Sequence, residues 1–158
     1  MYMVGPRDGI LKALVHASKF DSVREAADMQ AKLLAAVLPR LESVIVVPIP
    51  TIYSHVRHRG YDHTVRMARQ LAKQVDGQFQ PVLKRCGSSV QHGASRKERF
   101  RQVEGAFAVH LPVDADRTYV LVDDVTTTGA SLLAAAKALR AAGARRIYMA
   151  VTTYQPRD

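Results

Sequence analysis

Two apolar stretches of the chain lack the polar alternation of a half-exposed strand. One is 43-SVIVVPIP-50, a β-branched run that ends in proline, and the other is 118-TYVLVD-123. Strands with apolar side chains on both faces are buried on both sides, as in parallel sheets that are covered by helices. The two stretches therefore predict buried strands of an α/β sheet.

Helical patterns alternate with these strands. Ser22 and Glu25 have the spacing of a capping box, which predicts a helix start. In chain order, the sequence predicts helices over about 8–19 and 22–38, a strand over 43–50, a helix through 65–75, weaker strands over 79–84 and 105–110, a strand over 118–123, a helix over 130–143 that Gly143 ends, and a last strand over 145–154. This order implies an open, largely parallel sheet with helices on both faces.

Length and composition indicate one domain without a membrane anchor. A chain of 158 residues is the size of one ordinary domain, and no apolar run approaches the ~20 residues that cross a bilayer. The Met1 end lacks the order of a signal peptide, so we expect a cytoplasmic protein with no membrane insertion. Cys86 is a lone cysteine, which excludes a disulfide framework and a multi-cysteine zinc site within this chain.

Positive charge is concentrated in two segments. The chain has 23 Lys and Arg against 14 Asp and Glu, a net charge of +9. Four of the cations lie in 55-HVRHRGYDHTVRMAR-69 and six in 84-KRCGSSVQHGASRKERFR-101. This clustering favours an anionic partner, either a polyphosphate or a nucleic acid, with a solvated basic face as the alternative. His63 and its neighbouring histidines are interpreted as part of the basic loop rather than as zinc ligands.

The segment 120-VLVDDVTTTGAS-131 contains the chemistry that the strand order places at a ligand site. Ligands of open α/β sheets bind beyond the carboxyl ends of strands. Backbone N–H groups of a tight loop that enters a helix form an anion cradle, and threonine and serine hydroxyls add donors. No lysine follows Gly129, so this is not a Walker A loop. Carboxylates beside the cradle accept hydrogen bonds from vicinal hydroxyls, so the segment predicts a ribose 5-phosphate site.

This segment resembles the phosphoribosyl pyrophosphate (PRPP) signature of type I phosphoribosyltransferases. Three further stretches are similar to the ComF/GntX-like competence proteins of that superfamily: 11-LKALVHASKF-20, 57-RHRGYDHTVRMARQLA-72 and 91-QHGASRKERFRQVEGAF-107. Asp62 and Gln102 stand where the family usually has asparagine, although Asp62 can also cap a helix. The four-cysteine module that precedes this domain in many relatives is not in this sequence, so we expect 1–158 to form a single phosphoribosyltransferase-like domain.

The resemblance implies a type I phosphoribosyltransferase fold, with a mobile loop between the predicted strands 79–84 and 105–110. It assigns Asp123 and Asp124 to the ribose hydroxyls and, indirectly, to Mg²⁺. The 5-phosphate is assigned to Thr126, Thr127, Thr128, Gly129, Ala130 and Ser131. The pyrophosphate is assigned to Arg57, Arg59, Arg96 and Arg99, of which Arg99 joins the two acids as a catalytic residue.

The activity implied by the resemblance is Mg²⁺-assisted transfer of a phosphoribosyl group from PRPP to an unidentified acceptor, with release of pyrophosphate. Purine salvage enzymes of this fold carry an acid two residues before the loop glycine, where this chain has Thr127, so a 6-oxopurine acceptor is disfavoured. Two alternatives stay open: a PRPP or nucleotide sensor without turnover, and a competence factor that binds single-stranded DNA or DNA-processing proteins. A homodimer is also left open.

Overall fold

The computed structural model describes residues 1–52, 56–57, 60–86 and 105–155. In chain order the elements are β1 (Tyr2–Pro6), α1 (Gly9–Lys19), α2 (Arg24–Val37), β2 (Val44–Pro48), α3 (His63–Gln74), β3 (Gln78–Phe79), β4 (Leu83–Arg85), β5 (Phe107–Val109), β6 (Thr118–Thr126), α4 (Ala130–Ala141) and β7 (Arg146–Tyr154).

Five of the strands form one sheet in the order β1-β7-β6-β2-β3, and all of its pairs are parallel. The central strand β6 pairs with β2 on one side and with β7 on the other. β4 and β5 form a separate antiparallel pair. The predicted open, largely parallel sheet is confirmed, while the loop expected between β4 and β5 falls almost wholly on 87–104, outside the described residues.

Helices cover both faces of the sheet, as predicted. α2 and α3 pack on one face, where Leu34, Met67 and Leu71 meet Val46 and Val120 of the sheet. On the other face α4 packs together with β4 and β5, and the buried residues there are Ile45, Val47, Val82, Phe107, Tyr119, Leu121, Leu132, Leu139 and Val151. None of the helices among the described residues is long and apolar enough for a membrane span.

Four local features differ from the predictions. The predicted strand 79–84 is two strands, β3 and β4, of which only β3 joins the parallel sheet. β1, an edge strand that pairs with β7, was not predicted, because its five residues YMVGP include glycine and proline. The capping box was wrong: α2 begins at Arg24 after Val23, and Ser22 has a left-handed backbone (φ 57°) instead of the extended one of an N-cap. β6 extends to Thr126, so both acids lie within the strand.

Candidate functional site

A small recess lies where β6 ends and α4 begins. Gly129 occupies the N-cap of α4 with a left-handed backbone (φ 77°), a conformation that favours glycine. The recess has a volume of about 60 Å³ and is lined by Asp123 and by residues 125–132. The N–H groups of the first helical turn have no partner within a helix, and the positive end of the helix dipole adds to their attraction for anions. The recess therefore has the size and polarity for one phosphate group.

The loop that forms this recess is closed by a side chain. Thr128 Oγ1 accepts a hydrogen bond from the backbone N–H of Ala130 at 3.3 Å, so the threonine holds the loop against the helix start. Thr127 is exposed and Thr126 is buried. All six residues assigned to the 5-phosphate line the recess, Thr126, Thr127, Thr128, Gly129, Ala130 and Ser131.

A second cavity of about 150 Å³ adjoins the recess, and Asp123 and Ser131 line both. Its other lining residues come from the end of α1, the segment after β2, the start of α3, β4 and β6: Lys19, Ile49, Pro50, Thr51, Ile52, His63, Thr64, Arg85 and Asp124. The cavity has room for about five water molecules at ~30 Å³ each. It places both predicted acids next to three basic side chains.

Asp124 is the anchored acid of this cavity. Its side chain is buried, and its Oδ2 lies 3.0 Å from both His63 Nε2 and Lys19 Nζ. Burial acts to raise the pKa of the Asp124 carboxyl, but the hydrogen bond from His63 and the charge of Lys19 outweigh it and hold this pKa below its usual range. Asp124 is therefore ionised and held by two basic neighbours.

Asp123 has a different environment. Its side chain is half-buried, and its Oδ1 accepts the backbone N–H of Asp124 at 2.9 Å. Burial, together with the negative charge of Asp124, raises the pKa of the Asp123 carboxyl well above its usual range. Because Asp123 lines the recess as well as the cavity, it is the acid that a ligand spanning the two would meet first.

His63 and Lys19 were missed by the analysis of the sequence. His63 was assigned to the basic loop, yet it is the first residue of α3 and is 2% exposed. Asp62 caps this helix, since its Oδ1 accepts from the backbone N–H groups of Thr64 and Val65, which confirms the expected capping role. For Lys19, only the family likeness of its segment marked the residue, because its contact with Asp124 spans 105 positions.

Arg85 is a further basic residue that the sequence did not single out. It is half-buried on β4, and its guanidinium lies over the Phe107 ring at 5.5 Å from the centroid. Burial lowers the pKa of the Arg85 guanidinium, while the charge of Asp123 opposes that effect. The sequence offered no signal, because Arg85 is one of six cations in its segment.

Of the four arginines assigned to pyrophosphate, the structure describes one. Arg57 is exposed and is not among the described residues that line the cavity. Arg59, Arg96 and Arg99 lie outside the described residues. Their assignment stays a prediction.

Asp123 and Asp124 are the two carboxylates of the cavity that could bind magnesium. Within the described part of the chain, no three His, Cys, Asp or Glu side chains form a cluster that could hold a metal ion. Mg²⁺ usually keeps several waters and binds through one or two carboxylates and the phosphates of a substrate. The half-buried carboxyl of Asp123 fits such an indirect role, whereas Asp124 is already held by Lys19 and His63.

A groove of about 600 Å³ runs along α3, and we call it the α3 groove. Its cations are Arg24, Arg66, Arg69 and Lys73, and its other lining residues are Tyr61, Asp62, Val65, Gln70, Ala72, Gly77 and Phe79. Arg66 is paired with Asp28 outside the groove, with nitrogen–oxygen distances of 2.8 and 2.6 Å. Arg69 lies over the Phe79 ring at 4.9 Å from the centroid. This surface joins exposed cations to aromatic rings.

The sequence is similar to a known protein family and to curated proteins. A family model described as the phosphoribosyl transferase domain matches residues 62–158. The DNA utilization protein YhgH of Escherichia coli (strain K12) is 28% identical over 146 residues, which cover 87% of this chain and 64% of that protein. Competence protein F of Haemophilus influenzae is 30% identical over 106 residues, which cover 65% of this chain and 46% of that protein. The chain thus spans less than two thirds of the length of these relatives.

A solved structure is similar at the level of the fold. The allosteric regulatory enzyme of purine biosynthesis aligns with a TM-score of 0.57 and 20% identity, over 82% of this chain and 26% of that chain.

Proposed function

Because the chain belongs to the phosphoribosyl transferase family, we propose that it binds PRPP at the carboxyl end of β6 and transfers its phosphoribosyl group to an acceptor. The similarity to competence and DNA utilization proteins confirms the ComF-like resemblance found in the sequence. The activity of the longer relatives does not pass to this chain by similarity, so the proposal depends on the site.

One observation carries the proposal: a phosphate-sized recess and a carboxyl-lined cavity share Asp123 and Ser131. The loop of residues 126–131 would hold the 5-phosphate. The ribose hydroxyls would then lie at Asp123, and the diphosphate would enter the cavity with Lys19 and Arg85. PRPP carries its phosphate, ribose and diphosphate in that order, and the protein offers the recess, Asp123 and the cavity with Lys19 and Arg85 in the same order.

The reaction would need no protein nucleophile. The acceptor forms a bond to C1 of the ribose as the bond from C1 to the diphosphate oxygen breaks, and diphosphate leaves with the electron pair. Positive charge develops on the ribose ring meanwhile, so the protein has to orient the ring and stabilise the leaving anion. Bound Mg²⁺ would supply further neutralisation of the diphosphate. Thr127 in place of an acid still argues against a 6-oxopurine acceptor.

The test is a calorimetric titration of PRPP with Mg²⁺ into the wild type and into Asp123→Asn, with ribose 5-phosphate as a second ligand. Asp123→Asn should weaken PRPP binding by about 1 to 3 kcal/mol, because a hydrogen bond to a ligand is impaired. Asp116→Asn, at an exposed position away from the cavity, is the matched control and should bind as the wild type does. Absence of saturable binding to the wild type would refute the proposal.

Turnover requires a separate measurement. Pyrophosphate release from PRPP should rise when the correct acceptor is added, so a panel of bases and amines can be screened with the wild type. Saturable binding without release for any acceptor would favour the sensor hypothesis over the enzyme. Asp123→Asn should lower the release rate if the reaction occurs at this site.

A second candidate function is supported by the α3 groove. Exposed Arg69 and Lys73 next to Phe79 combine phosphate-binding cations with a ring on which a base can stack. We infer from this surface a capacity to bind single-stranded DNA, independent of the PRPP site. The variant Arg69→Gln with Lys73→Gln should weaken binding of a labelled oligonucleotide and flatten its salt dependence by about 0.7 in log–log slope for each lost phosphate contact. Arg145→Gln, an exposed cation outside the groove, serves as control.

A further inference from the structure

Lys19 reaches into the cavity from the N-terminal part of the chain. Its Nζ lies 3.0 Å from Oδ2 and 3.4 Å from Oδ1 of Asp124, and its side chain is 27% exposed. It is the last residue of α1 and lies outside residues 62–158, which the family model matches. The sequence-based assignment of the diphosphate to arginines of the two basic segments did not include it.

Buried hydrogen bonds fix the helix end that carries Lys19. The neighbouring Ser18 is fully buried, and its Oγ accepts from Gln30 Nε2 at 2.7 Å. Gln30 Oε1 in turn accepts from the hydroxyl of Thr152 on β7 at 3.0 Å. The Tyr61 hydroxyl donates to the carbonyl oxygen of Ser18. The last turn of α1 is thus tied to α2, β7 and the start of α3, so the backbone of Lys19 is held at the cavity while its side chain has a flexible stem.

Asp124 does not depend on Lys19 alone for a partner. His63 Nε2 lies 3.0 Å from the same Oδ2, and the His63 side chain is only 3% exposed, against 27% for Lys19. Lys19, in contrast, is partly exposed to the cavity. An anion that enters can therefore draw the Lys19 ammonium away while His63 continues to hold Asp124.

A second cation, Arg85, lines the same cavity. Among the described residues, no carboxylate forms an ion pair with the Arg85 guanidinium, which instead packs over Phe107. An anion in the cavity would meet the positive groups of Lys19 and Arg85, and Asp123 lines both this cavity and the phosphate recess. The cavity has room for a diphosphate, and this group is attached to the ribose at the end away from the 5-phosphate.

We propose that Lys19 is a substrate-binding residue that leaves its ion pair with Asp124 and contacts the diphosphate of PRPP. The inference rests on the proposed function, since it assumes that PRPP binds at the end of β6. It adds to the binding site a residue from a helix outside the matched family domain. It also means that the Lys19–Asp124 ion pair is broken when the ligand binds.

The test compares three ligands and three variants by calorimetry. PRPP, inorganic diphosphate and ribose 5-phosphate are titrated into Lys19→Gln, Lys19→Arg and Lys12→Gln, the last being an exposed lysine of the same helix. Lys19→Gln should raise the Kd for PRPP and for diphosphate about tenfold or more, as expected for a lost charge-assisted hydrogen bond. The Kd for ribose 5-phosphate should stay within about twofold, and Lys19→Arg should recover part of the loss.

The outcomes separate the two proposals. If the wild type binds neither PRPP nor ribose 5-phosphate, the proposed function fails and this inference fails with it. If the wild type binds PRPP but Lys19→Gln leaves the affinities unchanged, or weakens all three ligands equally, only the role of Lys19 is overturned.

An NMR measurement on the wild type tests the inference even if Lys19→Gln does not fold. The NMR signal of the Lys19 Nζ group is assigned by its absence from the spectrum of Lys19→Arg. This signal should shift when inorganic diphosphate is added and should not shift with ribose 5-phosphate. A signal that diphosphate does not move would overturn the inference.

Discussion

The cavity at the end of β6 and the α3 groove are both cationic, but they are built differently. In the cavity, Lys19 and His63 lie against the buried carboxylate of Asp124, and each partner is held by a different element of the fold. In the groove, Arg69 and Lys73 are exposed on one helix, and Arg69 lies over the Phe79 ring. The groove is larger, whereas the charged groups of the cavity are fixed by contacts with one another.

This contrast shows that fixed and buried charges indicate a specific ligand better than the number of charges does. Exposed charges are screened within about 10 Å at 0.1 M salt, whereas buried pairs are screened much less. A groove of exposed cations therefore suits a polyanion that is bound without strict geometry. The cavity suits a small ligand whose groups match particular side chains.

The largest loss of stability is expected when the buried carboxylate of Asp124 is removed. Asp124→Asn removes the negative charge that faces both Lys19 and His63, so we expect a loss of about 3 kcal/mol in the free energy of unfolding at pH 7. Urea denaturation monitored by circular dichroism measures it. A loss below about 1 kcal/mol, the size expected for an exposed ion pair, would show that the charges of the cavity are no more strongly held than those of the groove.

The pH dependence of that loss has a defined sign. The pKa of Asp124 is lower in the folded than in the unfolded protein, so its contribution to stability is present above the unfolded value of about 3.9 and is lost as the pH falls below it. The difference between Asp124→Asn and the wild type should therefore shrink between pH 4 and pH 2.

The second prediction concerns the backbone of the phosphate recess. Gly129→Ala places a side chain at φ 77° with open space around it, so the cost is backbone strain, about 1 to 2 kcal/mol of stability. Gly143→Ala is the matched control, because Gly143 also has a positive φ (107°) and open space but lies at the other end of α4. Only Gly129→Ala should weaken ribose 5-phosphate binding in calorimetry. Equal effects of both variants on binding would remove the recess from the site.

The parts of the fold and of the site that the sequence predicted are those that depend on neighbouring residues. The apolar runs that became β2 and β6 and the acid-threonine-glycine order after β6 are properties of adjacent residues, so they were readable. The short edge strand β1 gave no such signal, since its five residues YMVGP include glycine and proline. Within the site the limit is distance along the chain: the contacts of Asp124 with Lys19 and His63 span 105 and 61 positions.

Burial was the second quantity that the sequence could not supply. Asp123 and Asp124 are adjacent and chemically identical, and both were assigned to the ribose. The structure gives them opposite pKa shifts, because alternation along β6 directs one side chain to the phosphate recess and the other toward α1 and α3. Only the packing of the helices around β6 distinguishes the two acids.

The third prediction tests this distinction with a smaller effect of opposite sign. Burial and the neighbouring Asp124 raise the pKa of Asp123 in the folded protein, so its ionisation opposes folding as the pH rises above about 4. Asp123→Asn should therefore stabilise the protein at pH 7, by less than about 1 kcal/mol, and have no effect at pH 3. Urea denaturation at the two pH values measures it, and destabilisation at pH 7 would contradict the assignment.

The smallest effect on stability is expected for the Arg66–Asp28 ion pair at the α3 groove. Arg66 and Asp28 form two hydrogen bonds, yet their side chains are 31% and 29% exposed, against 4% for Asp124. Asp28→Asn should cost about 0.5 kcal/mol at 0.1 M NaCl, and most of this cost should vanish at 1 M NaCl, where charges are screened within about 3 Å. The loss from Asp124→Asn should persist at both salt concentrations, because buried ion pairs are screened much less than exposed ones. Urea denaturation of the two variants in parallel decides the matter. A salt-resistant loss in Asp28→Asn that equals the loss in Asp124→Asn would mean that the geometry of an ion pair, rather than its burial, separates the two regions.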